Sequence, residues 1–247
     1  MSLTRPDHGL THSPRLSDGQ RAAGGWVLGM VVAVVLAVLP WWPAPAVALA
    51  AAVALAGGGM VLHGLRRSGL GRFAPCNRVT LGRLGLTAVL AGMLALPDIT
   101  PALGWLALGL ALAALMLDGL DGWLARRGRD SSAFGARFDM EVDAALIAVL
   151  ALLAWSLDKA GLWVLALGMM RYGFVAAAWV WPWLAAPLPH SHRRRIICGV
   201  QVAVLAGLLA PLVVPPVSDW LAAGALVALA ASFAVDVLWL WLRRPAA

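Results

Sequence analysis

Eight runs of predominantly apolar residues, separated by Pro, Gly or charged breaks, leave this chain one solvent to fold in. They cover 26–42, 46–65, 79–96, 102–124, 138–157, 162–184, 196–214 and 220–242. About 20 apolar residues cross a bilayer's hydrocarbon as a helix, where every backbone N–H and C=O must be satisfied within the segment. The expected fold is therefore all-α, a polytopic membrane bundle of about eight transmembrane helices. Composition agrees, with 62% hydrophobic and 13% charged residues against about 25% charged in a soluble domain. The net charge of +7 comes without a basic groove interleaved with aromatics. Nucleic acid is thus excluded as a partner, and anionic membrane lipid is expected instead. Cys76 and Cys198 have neither paired nor C-x-x-C spacing, which argues against a disulfide framework or a thiolate metal site; both read as inert.

The arginines collect in alternate breaks. Arg5, Arg15 and Arg21 precede the first run; Arg66, Arg67, Arg72, Arg78 and Arg83 follow the second; Arg126, Arg127, Arg129 and Arg137 follow the fourth. Arg193 to Arg195 follow the sixth run, and Arg243 and Arg244 the eighth. The opposite breaks, "WWPAP", "LPDITPALG", "SLDKAG" and "VPPVSD", hold Lys159 as their sole basic residue. Positive charge is retained in the cytoplasm, so both termini are expected there. The organisation that follows is a cytoplasmic tail over 1–25, two helices over 26–65, a basic segment over 66–78 and a main domain over 79–247. The basic segment either lies along the headgroups as an amphipathic helix or serves only to fix topology.

One stretch breaks the apolar pattern. "LDGLDGWLARRGRDSSAFGARFDMEVDA", 117–144, sets Asp118 and Asp121 three apart and Asp139 and Asp143 four apart. On helices each pair shares a face. The polar "RRGRDSS" between them would return the chain antiparallel and bring four carboxylates to the cytoplasmic mouth of the fourth and fifth spans. Four anions so close repel one another and are costly to desolvate. A divalent cation resolves the conflict, and oxygen ligands without His or Cys suit Mg²⁺ or Mn²⁺. The chemistry implied is metal-assisted displacement at phosphorus, with a carboxylate available as general base. Glu141 and Asp130 lie off these faces and read as ordinary salt-bridge partners of the nearby arginines.

These residues closely resemble a known family. Asp118-x2-Asp121-Gly122-x2-Ala125-Arg126-x8-Gly135-x3-Asp139-x3-Asp143 matches every fixed position of the signature of the CDP-alcohol phosphatidyltransferases, integral membrane enzymes of phospholipid synthesis. The resemblance implies a six-helix core, with the first two spans as an addition. It also implies transfer of a phosphatidyl or phosphoalcohol group from a CDP-linked lipid donor to a small polar alcohol, releasing CMP. Asp118, Asp121 and Asp139 would hold two metal ions, and Asp143 would help bind metal and act as catalytic base. Gly122 and Arg126 would touch the CDP part, and Ser132 a phosphate. Upstream, "PCNRVTLGR" resembles the family's Pro-Asn-x-x-Thr-x-x-Arg motif with Cys76 intervening. It places Asn77, Thr80 and Arg83 on the donor side, although Asn77 could equally be a plain helix N-cap. The resemblance also implies a homodimer, while the Ala/Leu/Arg-rich composition points to a bacterial inner membrane and the arginine distribution to an active site facing the cytoplasm.

Acceptor choice is expected to rest on other cations. Arg171 sits mid-span, where a lone arginine is costly and usually functional; it is expected to face the active-site cavity, the alternatives being snorkelling or a structural pairing with Asp236 or an active-site acid. Arg193, Arg194 and Arg195 stand at a helix start and, with Arg171, would bind a phosphate on the acceptor. Glycerol 3-phosphate is the type of acceptor expected, with CDP-diacylglycerol as donor. The alternatives are an unphosphorylated acceptor such as serine or inositol, a CDP-choline or CDP-ethanolamine type of donor, and, more remotely, a non-catalytic scaffold or transporter. Intramembrane prenyltransferases also use Asp-rich helices and Mg²⁺, but need two such motifs far apart.

Overall fold

The computed structural model describes residues 18–68, 73–128, 132–189 and 191–243, and for Asp18 and 123–128 the backbone alone. Eight α-helices and no strand make up these residues: α1 (Asp18–Val38), α2 (Ala44–Ser68), α3 (Pro75–Met93), α4 (Pro101–Gly128), α5 (Ala133–Ser156), α6 (Leu165–Val180), α7 (His192–Leu208) and α8 (Val217–Leu242). Short 3-10 turns lie at Leu162–Val164 and Pro182–Ala185. α3 and α4 open on Pro75 and Pro101, where a missing N–H costs nothing and the fixed φ already suits a helix. The tail over 1–17 and residues 69–72 lie outside the described residues. The basic segment has no described helix of its own, because Arg66 and Arg67 end α2 and Arg78 belongs to the first turn of α3.

Five segments are long and apolar enough to cross a membrane: Gly19–Val38, Ala44–Ser68, Pro101–Gly122, Leu162–Val180 and Val217–Leu242. The chain is an integral membrane protein. The three helices that fall short, α3, α5 and α7, are those that carry Arg83, the acids Asp139 to Asp143 and the Arg193 to Arg195 run. Their interior positions explain how this is tolerated. Leu90 and Met93 of α3, Leu146, Leu150 and Leu153 of α5, and Leu205 and Leu208 of α7 are fully buried against other helices. These helices face protein more than lipid, so their polar ends escape the cost of exposure to hydrocarbon.

α3 is central, packing against α1, α2, α4 and α5. α7 touches α4, α5 and α8, and α6 touches α5. α4 and α5, expected to run antiparallel, barely touch. α3 and α7 stand between them, so α3, α4, α7 and α5 form a ring with the acid-bearing helices at opposite corners.

The α1–α2 hairpin is fused to α3 through small residues. Ala46, Ala50, Ala54 and Gly58 recur every fourth position of α2 and are buried. A Cβ on Gly58 would meet Val27 Cγ1 at 2.5 Å, and one on Gly92 of α3 would meet Ala46 O at 2.9 Å. Close backbone approach of this kind is how helices associate where lipid offers no hydrophobic drive. At the opposite end of the bundle from the acids, Lys159 Nζ donates to Ala210 O at 3.2 Å and Val213 O at 2.6 Å, tying the α5–α6 connection to the α7–α8 connection.

Candidate active site

The four acids meet around a single cation. Arg83, its side chain 1% exposed, sends Nη1 to within 3.1 Å of Asp118 Oδ1, 3.0 Å of Asp121 Oδ2 and 2.6 Å of Asp139 Oδ1. Its Nη2 donates to Asp143 Oδ1. Thr80, one turn before Arg83, places Oγ1 3.2 Å from Asp121 Oδ2 and 3.1 Å from Cys76 O and can donate to either. The three- and four-residue spacings thus aim both pairs inward as expected, across the ring.

Burial grades the cluster. The Asp121 side chain is 5% exposed, whereas Asp118, Asp139 and Asp143 are 33%, 37% and 24% exposed. The three more exposed carboxylates line a cavity of about 140 Å³. α7 adds Arg195, Cys198, Gly199 and Val202 to the lining. Cys198 is therefore a wall of the site, three residues beyond Arg195 on one helical face. A cysteine in an apolar run gave no sign of this.

One guanidinium offsets four carboxylates only in part, and the surplus negative charge attracts further cations. Asp118, Asp121 and Asp139 each offer an oxygen, all within 4.8 Å of one another. These hard oxygen donors, with no His or Cys in the group, fit Mg²⁺ or Mn²⁺.

The donor-side residues divide. Thr80 and Arg83 are in the acid cluster itself, so Arg83, expected beside the donor, is first of all the counter-ion of the carboxylates. Asn77 is not an N-cap: α3 starts from Ala74, and Asn77 is buried inside the first turn. Its Oδ1 would lie 2.8 Å from a Cβ on Gly135, which explains why that position of α5 is a glycine. Ser132 caps α5, its Oγ accepting from Gly135 N at 3.0 Å; its hydroxyl proton remains available to a ligand. Gly122 follows Asp121 at the half-buried end of the α4 span. The Arg126 side chain lies outside the described residues.

The acceptor-side arginines also divide, and only Arg195 lines the cavity. Arg171 does not face it. Its Nη2 instead reaches Glu141 Oε1 at 2.5 Å, because Glu141 leaves α5 on the side where α6 packs. Asp236 of α8, the other partner expected for Arg171, is held by Arg193 at 2.5 Å and by Arg194 at 3.6 Å.

A family model described as CDP-alcohol phosphatidyltransferase matches residues 73–235, from the residues leading into α3 to well within α8. No curated protein and no solved structure matches the chain.

Proposed function

Since the chain belongs to the CDP-alcohol phosphatidyltransferase family, and is thus a transferase of substituted phosphate groups, we propose that it moves a phosphatidyl group from CDP-diacylglycerol to a phosphorylated polar alcohol such as glycerol 3-phosphate. The observation that carries this reading is a cavity lined by Asp118, Asp139 and Asp143 together with Arg195. An acceptor that joins a hydroxyl to an anionic group matches a lining that holds both carboxylates and a guanidinium.

In the step proposed, Asp143 accepts the proton of the acceptor hydroxyl, and the oxygen forms a bond to the phosphorus that carries the diacylglycerol. The P–O bond to the CMP phosphate breaks, and CMP leaves with the electron pair. Asp118, Asp121 and Asp139, with help from Asp143, would hold two divalent cations, which when bound neutralise charge building on the pyrophosphate. Asn77, Thr80, Arg83, Gly122, Arg126 and Ser132 are assigned to the donor side, Arg83 also holding the carboxylates in register. Arg195 receives the acceptor's anionic group, while Arg171, Arg193 and Arg194 form a second layer fixed by Glu141 and Asp236. The arginine-rich end of the bundle is assigned to the cytoplasm, with both termini, by the positive-inside rule, and a bacterial inner membrane and a homodimer complete the proposal.

A second reading, an unphosphorylated acceptor such as serine or inositol, draws on those same ion pairs: three of the four candidate arginines already have carboxylate partners. Purified protein given CDP-diacylglycerol, Mn²⁺ and a panel of acceptors separates the two. Product with glycerol 3-phosphate but not with serine or inositol supports the first, and a rise of roughly tenfold or more in acceptor KM in Arg195→Ala supports its assigned contact. Product with an uncharged acceptor alone sinks it.

A further inference from the structure

The α1–α2 hairpin lies outside the family match, yet a cavity of about 300 Å³ opens at its arginine-rich end, lined by Gln20, Arg21, Gly24, Leu62, Leu65 and Arg66. That volume is at the lower end of ligand pockets, about 300–1,000 Å³. Its lining combines two chemistries. Arg21, in the first turn of α1, and Arg66, in the last turn of α2, are exposed, and neither has an ion pair or hydrogen bond with any described side chain. Arg78, the nearest basic residue of α3, is occupied over the Trp26 ring at 4.9 Å. Among the described residues no carboxylate lines the cavity. Beneath the two guanidinium groups the floor is apolar, with Leu65 only 1% exposed.

The cavity also has a continuation. Leu28 is four residues beyond Gly24 on α1, and Gly59 and Leu55 are three and seven residues before Leu62 on α2, so each pair or trio shares a helix face. A Cβ on Gly24 or Gly59 would meet nothing within 4 Å, and Leu28 and Leu55 are 65% and 60% exposed. A charged rim above exposed apolar side chains that continue toward the hydrocarbon is the complement of a phosphodiester headgroup with its acyl chains. A free phosphate or a soluble phosphoester would leave those side chains unused.

We propose that this end of the hairpin is a binding site for an anionic phospholipid, its phosphodiester held between Arg21 and Arg66 and an acyl chain lying along Gly24, Leu28, Gly59 and Leu55. The site is separate from the acid cluster and does not depend on which alcohol the enzyme accepts. Two guanidinium forks can take a phosphodiester from both sides. Basic side chains near any anionic leaflet gain about 1 kcal/mol each without a built site, so the test must distinguish position from charge. Arg67 provides the control: it is exposed beside Arg66, carries the same charge and does not line the cavity.

The full-length protein is delipidated in a neutral detergent and titrated with phosphatidylglycerol or phosphatidylcholine, and bound lipid is counted by native mass spectrometry. Wild type is expected to retain phosphatidylglycerol in preference to phosphatidylcholine. Arg21→Ala and Arg66→Ala each lower that affinity roughly tenfold, the factor for one lost charge-assisted contact, while Arg67→Ala stays within about twofold, as for a remote charge. Arg66→Lys recovers part of the loss, since it keeps the charge without the fork. Equal losses in Arg66→Ala and Arg67→Ala would reduce the site to general surface charge and overturn the proposal. So would displacement of the lipid by soluble glycerophosphate at comparable concentration, or the absence of any preference in wild type.

Discussion

Arg83 and Asp143 carry the most testable chemistry at the scale of single residues. Arg83 is buried with a carboxylate from each of four positions on it, and removing one partner of such a network leaves uncompensated buried charge at a cost of about 3–5 kcal/mol. Arg83→Ala is therefore expected to lower the melting temperature by several degrees or more. Mn²⁺ should raise its melting temperature more than that of wild type, since a cation replaces the lost charge; equal shifts in both proteins would show that Arg83 and the metal do not share the carboxylates. Asp143→Asn keeps an oxygen ligand but loses the base, so turnover should fall by about 10² or more with Mn²⁺ affinity little changed by equilibrium dialysis. Wild-type turnover in that variant would remove Asp143 from the proton transfer. The acids were legible because helical periodicity turns a three- or four-residue spacing into a shared face. The partners of the arginines were not. Whether Arg171 meets Glu141 or the cavity depends on the rotation of α6 against α5, which a span of nearly uniform apolar residues does not encode.

Among the helices, the number and approximate limits of the elements could be read from the apolar runs, because bilayer thickness fixes helix length. Neighbour relations could not. The short polar turn implies only an antiparallel return; the ring in which α3 and α7 intervene follows from α3, which buries Arg83 between the acids and can do so only by standing between the helices that bear them. The same arrangement explains how α3, α5 and α7 can carry Arg83, the acids Asp139 to Asp143 and the Arg193 to Arg195 run. Lys159 tests how the far end of this ring is held. Its Nζ bonds to Ala210 O and Val213 O are charge-assisted, and replacing it by Met removes both while keeping the stem. Lys159→Met should cost about 2 kcal/mol or more, read as a lower melting temperature, with Mn²⁺ affinity at the opposite end unchanged. No change in melting temperature would show that the two connections are held by packing alone.

For the whole molecule, the hairpin α1–α2 and the six helices α3–α8 share buried apolar contacts, as in the cluster of Val27, Val61 and Leu65 with Leu81, Leu84 and Phe138. The addition is part of one membrane body with them. We expect all eight helices to cross the bilayer with the arginines at one end, so a reporter fused after Ala247 should read cytoplasmic, and a periplasmic signal would contradict that assignment. The central claim is that the acid cluster transfers a phosphatidyl group out of a CDP-linked donor. Its most direct test is CMP release by the purified protein from CDP-diacylglycerol, with and without glycerol 3-phosphate, Mn²⁺ and EDTA, in wild type and in Asp121→Asn. CMP should appear only when acceptor and Mn²⁺ are both present, stop on chelation, and fall by at least about 10² in Asp121→Asn at the same Mn²⁺ concentration. A folded wild-type protein that releases no CMP with any acceptor in the panel, or an Asp121→Asn variant that releases it at the wild-type rate, would contradict the claim.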